Sequence, residues 1–149
     1  YGVLYNWPAA LTACPPGWRL PSSAEWTDLS AYLIANGYNY DGTTIANKIA
    51  ISLASATGWN SSTYTGAIGD NNTAYDAYRN KSGFTALPGG YRCDNGRFYN
   101  IGLDGYWWSS TQYVKGLAKY RCLYYSGYGL YYGNYYPIEI GFSVRCLRD

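Results

Sequence analysis

Apolar positions recur at helical spacing early in the chain and at strand spacing late in it. Gly2 to Trp7 is a short apolar run that reads as a first strand, and Cys14-Pro15-Pro16-Gly17-Trp18 reads as a turn. After Pro21, Ser22 can cap a helix whose N3 residue is Glu25, the pairing of a capping box. Trp26, Leu29 and Leu33 then share one helical face, and Gly37 supplies a stop. Ile45, Ile49 and Leu53 recur every fourth residue beside Ala46, Ala50 and Ala54, which predicts a second helix from Thr44 to Ala56, ended by Gly58. Residues 58–83 are rich in Gly, Asn, Ser, Thr and Asp but are punctuated by Trp59, Tyr64, Tyr75 and Tyr78. They are expected to form a long ordered loop, a feature often functional or built around a site.

The rest of the chain has strand character. Phe84 to Leu87 leads into Pro88-Gly89-Gly90, and Tyr91-Arg92-Cys93 and Arg97-Phe98-Tyr99 flank the hairpin signal Asp94-Asn95-Gly96. Residues 106–110, 118–125, 128–132 and 140–147 are further strand candidates. In the last, Ile140, Phe142, Val144 and Cys146 alternate with Gly141, Ser143 and Arg145, so one face is apolar. The order is strand, two helices, long loop, then antiparallel strands. It predicts one α+β domain over residues 1–149 with its first and last strands paired.

Composition narrows the function. The 149 residues include 20 Tyr, six Trp and no His, with a net charge of +2. Without His there is no Ser-His-Asp or Cys-His nucleophile and no His-ligated zinc or haem. The small charge gives no electrostatic reason to expect nucleic acid or an anionic membrane. No apolar run is long enough to span a bilayer. The chain begins at Tyr1 and shows no signal peptide, and it is expected to be a segment of a longer exported protein. Four cysteines (Cys14, Cys93, Cys122 and Cys146) fit two disulfides in an oxidising compartment and allow three connectivities, against the alternative of four buried thiols. Pairing of the first and last strands would make Cys14–Cys146 geometrically reasonable, leaving Cys93 and Cys122 on two other strands.

Several strings carry a family resemblance. They are Leu4-Tyr5-Asn6-Trp7, Cys14-Pro15-Pro16-Gly17-Trp18-Arg19-Leu20-Pro21 with Glu25-Trp26, Gly83-Phe84-Thr85-Ala86-Leu87-Pro88-Gly89-Gly90-Tyr91-Arg92, Gly105-Tyr106-Trp107-Trp108-Ser109-Ser110-Thr111 and Gly141-Phe142-Ser143-Val144-Arg145-Cys146. In this order, over nearly the whole chain, they resemble the Fibrobacter succinogenes major paralogous domain of bacterial surface and secreted proteins. The resemblance implies a C-type-lectin-like fold and a secreted or cell-surface setting, bacterial or phage-encoded. It implies kinship with formylglycine-generating enzymes and with the variable proteins of diversity-generating retroelements, whose C-terminal segment is mutated at adenines. Cys14 and Cys146 fall on the family's usual cysteines. Cys93 and Cys122 are additional and are expected to pair with each other.

Nine tyrosines crowd into residues 113–136, where such a variable segment would lie. Tyr offers a large, rigid, amphipathic surface with few torsions to freeze, and mixed with Gly and Ser it has the composition of antibody recognition loops. The candidate ligand-binding set is therefore Trp108, Tyr113, Tyr120, Tyr124, Tyr125, Tyr128, Tyr131, Tyr132, Tyr135 and Tyr136, although at least one of Trp107 and Trp108 should face the core. The competing reading is a cross-strand aromatic ladder. Trp7, Trp18 and Trp26 are expected in the core. Lys115, Lys119 and Arg121 read as a solvated strand face, not a nucleic-acid site. Asp70, Asn71, Asn72 and Asp76 could hold a structural calcium, but Asx-turn chemistry accounts for them as well. The calcium-lectin motifs are missing, the nearest string being Trp59-Asn60-Ser61. No paired acids or activated cysteines are evident. The expected function is non-catalytic: recognition of a protein or cell-surface glycan, with no resident cofactor. An architectural module of a surface protein is the alternative, and an enzyme relative is a distant one.

Overall fold

In the computed structural model, which describes residues 1–149, the chain's ends are brought together by three separate devices. Tyr5 and Phe142 exchange both backbone hydrogen bonds, at 2.8 and 3.0 Å. Cys14 and Cys146 form a disulfide. Strand β1 (Trp18–Arg19) pairs antiparallel with β7 (Leu147–Arg148). The expected first strand is reduced to that single Tyr5 bridge, because Asn6 turns the chain into helix α1 (Trp7–Ala10) by accepting the Ala9 N–H at 3.1 Å. Regular pairing of the ends therefore falls on β1 and β7. Trp18, expected in the core, is 45% exposed, because this two-residue strand is covered on neither face.

Helix α2 (Ser23–Ala35) forms as its sequence predicts. Ser22 Oγ accepts the Glu25 N–H at 3.2 Å, and Glu25 Oε2 accepts the Ser22 N–H at 2.8 Å. Its far end closes as a Schellman motif: Gly37, at φ 73°, donates to Ile34 O, and Tyr38 donates to Leu33 O.

The second helix is far shorter than expected: α3 covers only Ala50–Leu53. The buried Asn39 amide explains the loss. Its Nδ2 donates to the carbonyls of Thr43, Ile45 and Ala46, and its Oδ1 accepts the Lys48 N–H. These bonds hold residues 43–48 in a looped path that competes with the helix. Ala46 takes a φ of 61°, and Ile45 is 71% exposed.

The predicted hairpin is present as β2 (Tyr91–Arg92) and β3 (Phe98–Tyr99). Strands β4 (Asp104–Val114), β5 (Leu117–Tyr124) and β6 (Tyr131–Pro137) form an antiparallel sheet in that order. The strand expected at 128–132 starts later because Tyr128 and Leu130 bond outside the sheet. The strand expected at 140–147 is broken into isolated bridges, Gly141 to Arg92, Phe142 to Tyr5 and Ser143 to Trp107, before β7.

The sheet separates two apolar clusters. One face packs Trp107 and Leu123 with Trp26, Leu33, Ile49, Leu53 and Ile68. The other packs Tyr106, Trp108 and Cys122 with Trp7, Leu20, Ile140 and Phe142. Neighbours on a strand point to opposite faces, so Trp107 and Trp108 anchor one cluster each. No helix is long and apolar enough to cross a membrane.

Candidate functional site

The sheet sorts the ten candidate residues into three groups. Trp108 is removed from the recognition surface: it is fully buried, and its Nε1 donates to Tyr5 O at 2.8 Å. Strand parity sends it into the Phe142 cluster.

Tyr120, Tyr124, Tyr131 and Tyr136 are partly buried and packed against that same cluster. Tyr120 meets Tyr136 edge-on at 5.6 Å, and Tyr124 packs on Tyr131 at 5.4 Å. These are ladder contacts, and the Tyr120 and Tyr124 hydroxyls sit in a poorly solvated layer. Burial pushes the Tyr120 phenol up to about 12. Burial, then the hydrogen bond shared with the Cys122 sulfur, which holds the phenol proton, carries the Tyr124 phenol well above its ordinary value. Tyr125 is partly buried on the β5–β6 connection.

The remaining four, Tyr113, Tyr128, Tyr132 and Tyr135, are 48–52% exposed. Tyr113 and Tyr135 stack at 4.7 Å with 12° between their planes. Tyr120 pairs with Gly133 and Ala118 with Tyr136, so Asn134 and Tyr135 together oppose Lys119. Bulges of this kind re-aim side chains. Tyr132, opposite Arg121 in the register, lies over its guanidinium at 4.2 Å.

The connection that carries Tyr128 is held along its length. Tyr125 N–H donates to Leu103 O, and Tyr125 O accepts from Gly69. Gly127 O accepts from Ile68 and Tyr128 O from Ala50. The Asn47 amide takes both backbone groups of Leu130, at 2.7 and 3.1 Å. The long loop 58–83 is therefore ordered as expected, and it braces the Tyr-rich segment. Inside it, Arg79 pairs with Asp76 at 3.0 Å and donates to the carbonyls of Ile68, Asp70 and Asn72.

The loop's acidic and amide oxygens are used locally. Asp70 accepts from Gly66 and Asn72 N–H groups, Asn72 accepts from Ala74, and Asn71 donates to Ser61. No group of three or more Asp, Glu or Cys side chains is placed to hold a metal ion.

The cysteine expectation divides. Cys14–Cys146 is formed, whereas Cys93 and Cys122 are free thiols. The second bridge is not formed, and each sulfur is instead directed to a near neighbour in the sequence. Cys93 Sγ donates to Asp94 Oδ1 at 3.1 Å, and Cys122 Sγ shares a hydrogen bond with Tyr124 Oη at 3.1 Å. Burial pushes the Cys122 thiol up to about 11, so it is protonated at neutral pH.

Arg121 is not on a solvated strand face. It is buried between the sheet and α2, donating to Ser23 O at 2.7 Å, Ser23 Oγ and Thr27 Oγ1, with no carboxylate partner. Its parity with Leu123, an apolar core position, was the available signal. A second buried charge site is Asp104, which accepts from Tyr106 Oη at 2.9 Å and Asn100 Nδ2 at 2.6 Å. Burial raises its carboxyl above the ordinary value.

The Tyr-rich segment is a ridge and not a cleft. The three cavities, of about 340, 270 and 140 Å³, are lined by no residue from 113 to 136. No curated protein and no solved structure matches the chain. A family profile does match, described as the Fibrobacter succinogenes major domain and covering residues 1–148. With both terminal motifs, the disulfide between them and the α+β architecture all inside that match, the chain belongs to the Fibrobacter succinogenes major domain family.

Proposed function

We propose that the domain is a non-catalytic recognition module of C-type-lectin-like architecture, carried by an exported protein, that holds a protein or glycan against the exposed tyrosines of residues 113–136. The observation that carries this reading is the half-exposed, stacked Tyr113–Tyr135 pair. Ordering flexible side chains is a main cost of binding, and rings already fixed in place avoid much of it. A phenol face can stack on a sugar ring or cover an apolar side chain, and its hydroxyl can hydrogen-bond. At the other end of the sheet, backbone bonds with Ala50, Ile68, Gly69 and Leu103 pre-organise the connection that carries Tyr128. A ridge without a cavity suits a macromolecular surface better than a small substrate.

The architectural alternative accounts for Tyr120, Tyr124, Tyr131 and Tyr136, which brace the sheet, and for Tyr132, which covers Arg121, but not for the exposure of Tyr113, Tyr128 and Tyr135. An enzyme relative acting through Cys122 and Cys146 lacks a thiolate, since Cys146 is oxidised to Cys14 and Cys122 is protonated. The disulfide supports an oxidising compartment. Targeted diversification of the segment would leave a near-copy of its coding DNA, differing at adenines, beside a reverse transcriptase gene.

The test replaces Tyr113, Tyr128 and Tyr135 with Ser and leaves Tyr132 over Arg121. Wild type and variant are compared on a glycan array and against bacterial and host surface-protein extracts. A ligand held by wild type and lost by the variant, with similar thermal midpoints, supports recognition. Equal capture by both proteins sinks it, and equal capture with a marked loss of stability favours the architectural role.

A further inference from the structure

The end of the molecule where the chain's ends meet carries two cavities that share Arg145 and Cys146 as a common wall. The smaller of the two, about 270 Å³, lies between α2 and β7, with Pro21, Trp26, Leu29, Phe84 and Leu147 as its apolar lining. Small-molecule pockets usually start near 300 Å³, so this one accepts a single ring or branched alkyl group. Trp26 and Phe84 set its shape, with ring centroids 5.8 Å apart and planes tilted by 58°.

Two charged side chains border it, and they are in different states. The Glu25 carboxylate is fully engaged, accepting from Arg19 at 2.5 and 2.8 Å and from the Ser22 N–H and hydroxyl. It has nothing left to offer a cation. Arg145 lies over the Phe84 ring at 4.3 Å and donates one Nη2 bond to Phe84 O. Its other N–H groups donate to nothing in the protein, and it makes no ion pair. A guanidinium fork fixed on an aromatic face and lacking an anion is matched by a carboxylate.

We infer that this cavity binds a small aryl- or alkyl-carboxylate, with the apolar body between Trp26, Leu29 and Phe84 and the carboxylate on the free N–H groups of Arg145. The same chemistry is offered by a free acid and by the C-terminal residue of a peptide. The site shares no residue with the tyrosine ridge, so it stands or falls independently of the recognition reading.

Trp26 supplies the reporter, since its buried indole N–H has no hydrogen-bond partner in the protein. The ¹⁵N-labelled domain is titrated with 3-phenylpropionate, 3-phenylpropionamide, and N-acetyl-Gly-Phe as free acid and as amide. The expected result is a saturable shift of the Trp26 indole resonance with an acid, at least about tenfold stronger than with its amide. Arg145→Gln should abolish that preference while the resonance still responds weakly to both forms. Should that variant fail to fold, Arg145→Lys keeps the charge without the fork and should reduce the preference. Leu29→Phe, which fills the cavity, should weaken acid and amide alike. Saturation by phenylpropionate alone assigns the site to free acids, and saturation by the peptide acid assigns it to chain termini. No saturable shift with either acid up to about 10 mM, or equal response to acid and amide, overturns the inference.

Discussion

Gly133 stands opposite Tyr120, and a Cβ there would lie 1.9 Å from the phenol ring. The ring has little room to retreat, because Tyr136 holds its edge at 5.6 Å and Phe142 lies at 5.1 Å. Gly133→Ala is therefore expected to cost about 1–3 kcal/mol, the usual range for overpacking a fixed site. Urea unfolding measures it, and an unchanged midpoint would show that the ring shifts freely. The partnership was not legible in the sequence, where Gly133 reads as one more small residue among tyrosines. It depends on a register that only the bulged pairing of β5 with β6 sets. Arg121 was partly legible, because strand alternation ties it to Leu123. Its basic neighbours Lys115 and Lys119 suggested solvent instead. Burial is tolerated because the guanidinium bonds to Ser23 and Thr27 and lies under Tyr132.

Elements built from local rules were the legible ones. Helix α2 has its capping box, its apolar face and its glycine stop within a short stretch, and the β2–β3 hairpin has its turn residues between two short strands. Elements decided by distant partners were not legible. The Thr44–Ala56 periodicity loses to Asn39, whose amide holds residues 43–48 in a looped path. The start of β6 is set by Asn47 and Ala50 holding Leu130 and Tyr128 outside the sheet. The candidate site divides the same way. Composition located the Tyr-rich segment, but burial, set by the tertiary fold, decided which rings face outward. At the start of α2, the Glu25 carboxyl is drawn from its ordinary 4.5 to about 2, first by the Arg19 hydrogen bonds and then by the Ser22 N–H. A folded-state value below the unfolded one stabilises the protein above about pH 4.5, and that contribution is lost as the pH falls toward 2. Thermal melts across this window should fall more steeply for wild type than for Glu25→Gln. Parallel curves would show that the pair contributes nothing in solution.

For the whole molecule, the Cys14–Cys146 bond closes a loop with a sequence separation of 132 residues. Chain-entropy arguments put the restriction of the unfolded state at roughly 4–5 kcal/mol for loops of this length. Reduction should lower the thermal midpoint by an amount on the order of 10 °C, read by calorimetry with and without reductant. A midpoint that does not move would mean that the Tyr5–Phe142 bridge and the β1–β7 pair close the ends unaided. Intact-mass analysis after alkylation of the denatured, unreduced protein should show two modified cysteines, Cys93 and Cys122.

That closure also sets how the domain responds to mechanical force. A pull applied to the chain on the far sides of Cys14 and Cys146 first loads the Tyr5–Phe142 bridge and the β1–β7 pair, and once these give it passes through the disulfide alone, so that the polypeptide between the two cysteines carries no tension. The sheet, the braced connection and the tyrosine ridge all belong to that unstressed stretch. In a polypeptide under shear, the ridge would keep its shape while its attachments were stretched, until the disulfide was reduced.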